Sequence, residues 1–342
     1  MKLGERLVLD SSLTDENMAY LKQLGVNHLT VAFLELATDE PKGKSAISGL
    51  RLGEYFKTED LVALKKWVES RGLELSAIGT SPFRNWDKIM LGKPGRDEQI
   101  ENWNKSLKNM GEAGIPQLQY GWMLNAGAWI PLWRTSAENV GRGGTKIVRF
   151  DYEVARKAPL TSYGEISEET MWDNLTYFLK AVIPVAEEAG VTMVLHPCDP
   201  QVPSIAGIAR IIRSIESYDR VFKIIPSKVN SMTFCLGCFA QMLDAPGVYR
   251  AIRHFGRQGR IGYVHFRGVR GDTLEKFDEV FPDEGKLDML KTLGVLREVG
   301  YNGIVQPDHA PHTAGDTEYG HISHAFQIGY LKGILQGAGA LE

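Results

Sequence analysis

Ser167 to Leu195, SEETMWDNLTYFLKAVIPVAEEAGVTMVL, is the stretch whose reading decides the fold. Ser167 is a residue type that caps a helix by accepting a backbone N–H, and Gly190 is a type that ends one. The segment between them reads as one long helix. Pro184 lacks the N–H for one of its backbone bonds and is expected to bend it. Thr192 to Leu195 then reads as a short strand, and His196 follows at its end. A helix feeding a strand in this way is one repeat of a parallel α/β fold.

The same alternation runs through the rest of the chain. Arg6 to Asp10 reads as a first strand, Thr14 to Leu24 as its helix with Gly25 as the stop, and His28 to Phe33 as a second strand. Leu61, Leu64, Trp67 and Val68 share one face of a helix from Thr58 to Ser70, and Leu73 to Gly79 gives a third strand. Asp97 is placed as the N-cap of a helix reaching Gly111 or Gly114, ahead of a fourth strand from Gln117 to Gly121. Further strands are expected at Ser231 to Phe234, Ile261 to Val264 and Gly303 to Gln306. Further helices are expected at Ser204 to Ser217, Pro246 to Gln258, Glu284 to Val299 and Gly320 to Leu335.

About eight such units in 342 residues fit one α/β domain over residues 1–342, a (β/α)8 TIM barrel, which needs ~250 residues. The surplus falls after the fourth strand. From about Trp122 to Glu165 the chain is rich in glycine, carries Trp122, Trp129 and Trp133, and shows no clean period. A loop that long inside a compact domain is usually functional, so this insert is expected to act as a lid over the barrel mouth, an oligomer contact being the other reading.

A net charge of −3, with Lys and Arg scattered among Asp and Glu, offers no basic face for nucleic acid. Met1 to Arg6 leads into mixed sequence without an apolar signal region, and no apolar run approaches the ~18 residues of a membrane span, so a cytoplasmic, non-membrane protein is expected. Three cysteines, Cys198, Cys235 and Cys238, are too few for a disulfide scaffold and suit a reducing compartment. Cys235 and Cys238 match C-x-x-C, but neither a second pair nor a thioredoxin-like context accompanies them.

The last four strands end in His196, Cys235, His265 and Asp308. The C-terminal strand ends of a TIM barrel form its active-site mouth. A lone buried cysteine is usually a small hydrophobe, and a lone His or Asp at a strand end is usually a turn or capping residue. Four ligand types at four consecutive strand ends read instead as a site for one divalent metal ion. By softness, thiolate and imidazole suit zinc or iron at least as well as manganese.

At these residues the chain resembles the mannonate dehydratase family, within the wider group of xylose-isomerase-like barrels. The matching segments are Leu91 to Glu98 (LGKPGRDE), His196 to Pro200 (HPCDP), Asn230 to Gly237 (NSMTFCLG), His265-Phe266-Arg267 and Pro307-Asp308-His309, with Phe281 to Met289 and Trp133-Arg134-Thr135 in support. The likeness covers nearly the whole chain and is weakest over the first ~60 residues. It implies loss of water from D-mannonate to give 2-keto-3-deoxy-D-gluconate. It also implies a divalent cation, usually manganese with Fe2+, Co2+ or Zn2+ as alternatives, held by His196, Cys235, His265 and Asp308. A His directly after the aspartate and a Tyr further on move protons in that family, and here they fall on His309 and Tyr319. A homo-oligomer, a dimer, is implied as well.

The chemistry suits this set. Removing a proton α to a carboxylate and expelling a hydroxyl need an acceptor and a donor, and His and Tyr are suitable types. The structural alternatives are that His309 only orients Asp308, and that Tyr319 only packs at a helix start. Strand alternation is expected to turn Arg267 away from the site unless the strand ends there; if it ends, the guanidinium can clamp the substrate carboxylate. His312, His321 and His324 read as structural or surface residues.

Departures from the family pattern occur at Cys198, Gln201, Gly268 and Pro282, where an Asp, a Pro, an Asn and a His are usual. Losing polar groups at Cys198, Gly268 and Pro282 is expected to redirect the enzyme from D-mannonate to a related acid. Two other functions stay open: a xylose-isomerase-like isomerase or epimerase, for which no convincing Glu pair is found on the later strands, and a family member that binds a sugar acid without turnover.

Overall fold

Lys2–Val8 (β1), His28–Ala32 (β2), Glu74–Gly79 (β3), Gln117–Gly121 (β4), Thr192–His196 (β5), Asn230–Cys235 (β6), Ile261–Phe266 (β7) and Ile304–Pro307 (β8) pair in parallel in chain order, and β8 returns to β1 to close a barrel. Helices lie between successive strands, giving the expected (β/α)8 TIM barrel. This computed structural model describes residues 1–9, 11–32, 54–79, 85–124 and 133–342. Asp10, Phe33 and Trp129, all used in the sequence reading, lie outside the described residues.

Helix ends follow local chemistry. Thr14 Oγ1 accepts from Asn17 N at 3.1 Å at the start of Asp15–Leu24, and Gly25 ends that helix at φ 86°. Ser167 caps Glu168–Ala189 the same way, and Gly190 at φ 68° stops it. Asp244 and Asp288 cap Ala245–Arg257 and Met289–Glu298. The expectation for Asp97 is corrected: Gly95, at φ 90°, starts the helix Arg96–Glu112, and Asp97 sits in its first turn, accepting from the Tyr177 hydroxyl at 2.7 Å.

The expected helix from Ser204 to Ser217 is also corrected. Ile205, Ile208 and Ile212 have helical spacing, but Ala206 (φ 49°) and Gly207 (φ 85°) make a tight turn. Ser204 and Ile205 pair back on Ala209 and Ile208 in an antiparallel hairpin. The helix begins only at Ile215, where Ser214 and Ser217 form a reciprocal cap.

Part of the insert is ordered into strands. Ser136–Val140 and Lys146–Asp151 join Lys276–Val280 and Gly268–Thr273 in an antiparallel sheet. Gly268 lies two residues past the end of β7, so this sheet stands on the C-terminal rim of the barrel. Trp122 belongs to the core rather than to a lid: it is fully buried, stacks on Phe178 and donates to Met171 O at 3.1 Å.

Candidate metal centre and active site

Strand register gathers the four ligand types. Cys235 and His265 are paired neighbours on β6 and β7, and Phe266 pairs with Pro307, which puts Asp308 one step beyond β8. His196 ends β5. Its Nδ1 lies 2.7 Å from Pro197 O, an acceptor only, so Nδ1 donates and Nε2 of the neutral ring keeps the lone pair. That Nε2 is 3.3 Å from His265 Nδ1, which in turn is 3.5 Å from Asp308 Oδ2. Cys235 Sγ lies 4.0 Å from the same carboxylate oxygen. Four ligand atoms, one from each residue, all fall within 4.8 Å of one another. Two donors about 2.0–2.3 Å from one ion lie roughly 3–4 Å apart, so both the spacing and the donor types fit a single cation.

Cys235 and Asp308 are held in their metal-binding forms, whereas His265 must give up a proton when a cation binds. Burial would raise the Cys235 thiol, but hydrogen bonds with Cys238, His196 and His265 and the charge of Arg267 hold it well below its ordinary value. Burial would likewise raise Asp308, yet His309, His265 and Arg6 keep it well below the carboxylate range. His265 loses stability as a cation through burial, and Asp308 and Cys235 outweigh that, lifting it to about 9. Arg6, from β1, reaches Asp308 Oδ1 at 3.3 Å.

A second, buried cluster adjoins the first. Arg134, from the insert, donates to Asp199 Oδ2 at 2.8 Å and Glu279 Oε1 at 2.5 Å. Arg267 donates to Asp199 at 2.7 Å and also to Glu279. Glu279 Oε1 further meets His309 Nδ1 at 2.8 Å, and His309 Nε2 lies 3.8 Å from Asp308 Oδ1. Against the cost of burial, the two guanidinium groups hold Asp199 and Glu279 well below their ordinary values. Asp199, Glu279 and His309 are close enough to form a ligand group of their own. Two guanidinium cations bonded to its carboxylates disfavour a metal ion there.

β7 ends at Phe266, and Arg267, two residues past His265, keeps the same side by strand alternation. The expectation that alternation turns it away is therefore corrected. Its side chain is fully buried, 3.6 Å from Asp308 Oδ2 and 3.9 Å from Cys235 Sγ. Tyr319 stands apart from this group. Its ring stacks on His324, its hydroxyl is buried with no hydrogen-bond partner among the described residues, and burial together with Glu5 and Tyr20 raises its ionisation far above the ordinary phenol value. His321 Nε2 is 2.8 Å from Asn17 Oδ1, His324 Nδ1 is 3.4 Å from Glu5 Oε2, and His312 is exposed.

Sequence reasoning missed Arg6, Asp199 and Glu279 as site residues, although Asp199 lies inside the quoted HPCDP segment. The departures also read differently in three dimensions. Cys198 is buried with its thiol 3.9 Å from Trp122 O, facing the core. A Cβ on Gly268 would lie 2.6 Å from Phe281 O and 2.9 Å from Pro282 Cα. Gly268 and Pro282 are thus a close-packed pair, and Cys198 faces the core.

A closed parallel barrel with two imidazoles, a thiol and a carboxylate converging at its C-terminal mouth, beside an arginine-held Glu–His pair, defines a TIM-barrel enzyme with a candidate metal centre. The family model for D-mannonate dehydratase (UxuA) matches residues 18–161 and 153–341. Mannonate dehydratase 2 of Halalkalibacterium halodurans is 32% identical over 316 residues, covering 85% of this chain and 90% of that protein. Mannonate dehydratase of Streptococcus agalactiae is 32% identical over 320 residues with the same coverage. The crystal structure of mannonate dehydratase from Streptococcus suis serotype 2 superposes with a TM-score of 0.83 at 28% identity, covering 100% of this chain and 95% of that one. A D-tagatose 3-epimerase-like protein, at TM-score 0.62 and 15% identity, shares the fold. The chain belongs to the D-mannonate dehydratase family and is a hydro-lyase of the sugar-acid dehydratase kind.

Proposed function

We propose that this chain removes water from D-mannonate to give 2-keto-3-deoxy-D-gluconate, with one divalent cation held by His196, Cys235, His265 and Asp308. The observation that carries this reading is the convergence of those four ligand atoms within 4.8 Å at adjoining strand ends. When bound, the cation supplies Lewis-acid stabilisation of the negative charge that develops at the substrate carboxylate. Manganese is the expected ion from the family likeness; the thiolate makes Fe2+, Co2+ or Zn2+ the alternatives.

The chain's own residues handle the protons. His309, oriented through Nδ1 by Glu279, presents Nε2 toward the metal group and takes the C2 proton. Tyr319, which burial keeps protonated, is assigned from the family likeness alone as the donor to the leaving C3 hydroxyl, which departs as water. The enol left between C2 and C3 then gains a proton at C3 and loses the proton of its C2 hydroxyl to become the 2-keto acid. Arg267 carries positive charge to the inner wall of the site, where it fixes Asp199 and Glu279 and adds attraction for an anionic substrate.

The insert serves as a cover over the mouth. Its Arg134 reaches the Asp199–Glu279 cluster, which supports that reading. Substrate with metal is expected to slow protease cutting between Gly141 and Gly144. The same proposal includes a homodimer, checked by sedimentation, and a cytoplasmic location in keeping with three buried free cysteines. Among the described residues no helix is long and apolar enough to cross a membrane. The test of substrate is a panel of aldonic and uronic acids with added manganese, read by 2-keto-3-deoxy product. D-Mannonate is expected to give the highest kcat/KM, and a different best substrate, or isomerised sugar in place of keto acid, contradicts the proposal.

A further inference from the structure

Cys238 is a buried thiol that the dehydration does not use. It stands three residues after Cys235, the proposed metal ligand, with only Leu236 and Gly237 between them, and both cysteines are fully buried. Cys235 is the N-cap of the short helix Leu236–Met242, which makes Cys238 its third residue. Side chains at those two positions turn toward each other, as they do in a capping box, so the C-x-x-C spacing here brings two thiols together. The pair shares a hydrogen bond. Arg267 Nη1 lies 3.9 Å from each sulfur. A Cβ on Gly237 would meet Arg267 Cδ and Nε at 2.9 Å, so the arginine packs directly on the turn that carries both thiols.

Residues three apart at a helix start have Cα atoms about 5 Å apart, within the roughly 4.4–6.8 Å that a disulfide spans. The third cysteine, Cys198, turns its sulfur to Trp122 O at 3.9 Å.

We propose that Cys235 and Cys238 are a reversible modification site, which hydrogen peroxide closes into a disulfide while no metal is bound. Peroxide first gives an oxygen to Cys235: an S–O bond forms, the O–O bond breaks, and the thiol proton leaves with the other oxygen as water. The Cys238 sulfur then attacks the Cys235 sulfur. An S–S bond replaces the S–O bond, and the hydroxyl leaves with the Cys238 proton as a second water. Two thiols are oxidised and one peroxide is reduced to two waters. Any route that admits a six-carbon acid to the four ligand atoms also admits so small an oxidant. A cation on the Cys235 sulfur holds the electron pair that would attack, and a disulfide sulfur is no thiolate ligand, so metal and bridge exclude each other. That exclusion rests on reading Cys235 as a ligand; the bridge itself does not.

Chelator-stripped and manganese-loaded chains are each treated with hydrogen peroxide, unfolded in N-ethylmaleimide, cut with trypsin and weighed. In the stripped chain the peptide 229–250 is expected to lose two hydrogens and take up no maleimide, while Cys198 is alkylated. Dithiothreitol should return both thiols and full manganese uptake, and the loaded chain should keep its thiols throughout. Cys238→Ser should bind manganese before treatment and lose that uptake beyond rescue by dithiothreitol afterwards, because Cys235 alone goes on to the sulfinic acid. Maleimide on both residues of the stripped chain, or a sulfinate on its Cys235 without a bridge, overturns the proposal. A chain that takes up no manganese yet forms the bridge supports the site and contradicts only the ligand reading. If Cys238→Ser does not fold, the peptide mass of the unaltered chain decides alone.

Discussion

His309 Nδ1 lies 2.8 Å from Glu279 Oε1, an oxygen that also receives hydrogen bonds from Arg134 and Arg267. A carboxylate held below its ordinary range only accepts, so Nδ1 carries the hydrogen and the neutral ring keeps its lone pair on Nε2. Outer partners of this kind commonly contribute 10–100-fold to a site's performance. Glu279→Gln keeps the shape and removes the charge. Turnover is expected to fall ~10–100-fold, with KM and metal content nearly unchanged. Since Arg134 and Arg267 lose a partner, stability falls too, and the kinetics are to be read well below the melting temperature. Unchanged kcat would show that Glu279 does not orient the base.

The two proton roles separate by isotope exchange. In D2O, Tyr319→Phe is expected to retain exchange of the substrate's C2 hydrogen while dehydration drops ~10²-fold or more. His309→Ala is expected to lose both. Loss of C2 exchange in Tyr319→Phe with retention in His309→Ala reverses the assignment.

Tyr319 is positioned by the turn before the last helix, His321–Gly337, whose N-terminus has no cap from Gly320. Asp316 substitutes for it. Its Oδ1 accepts from Ile322 N at 2.8 Å, and its Oδ2 from Ser323 N at 2.9 Å and Ser323 Oγ at 2.6 Å. Burial raises Asp316, and the Ser323 hydroxyl with the backbone N–H groups outweighs it, so the folded value is depressed. A depressed carboxylate stabilises the fold above its unfolded value of ~4 and loses that contribution as pH falls through the folded value. Asp316→Ala is therefore expected to cost about 1 kcal/mol at neutral pH, as cap removals do. The stability gap to the unaltered chain should close as pH drops below ~4, which denaturant titrations at several pH values will read. A gap that widens in acid contradicts this cap.

Gly268→Asn brings back the residue usual in relatives, yet it is expected to harm this chain. The added Cβ meets Phe281 O and Pro282 Cα at 2.6 and 2.9 Å, both on backbone that cannot swing aside. The sheet carrying Glu279 would have to shift. The variant should melt lower and turn over D-mannonate more slowly; a faster enzyme would restore the view that Gly268 trims the substrate pocket.

What the sequence made legible was local. Each metal-ligand candidate lies at or just past the end of its own strand, and strand periodicity with a helix after it is visible within some 20–30 residues. Thr14, Ser167, Gly25 and Gly190 announce their helix ends through side chain or φ preference alone. Glu279 was not legible because it joins His309 only through the antiparallel pairing of Lys276–Val280 with Gly268–Thr273 and with Lys146–Asp151 from the insert. Arg6 reaches Asp308 only because the last strand closes on the first. At Ser204–Ala209 the apolar spacing imitates a helix, and the left-handed turn at Ala206 and Gly207 overrides it.

The central claim, that the four strand-end residues hold a metal required for dehydration, is tested most directly by stripping and reloading. The purified chain is treated with chelator, dialysed and assayed on D-mannonate for 2-keto-3-deoxy-D-gluconate with and without Mn2+, beside His265→Ala. The account predicts no product from the stripped chain, recovery on adding one equivalent of metal, and no recovery in His265→Ala despite intact folding. Equal product from the stripped chain, or full recovery in His265→Ala, would contradict it.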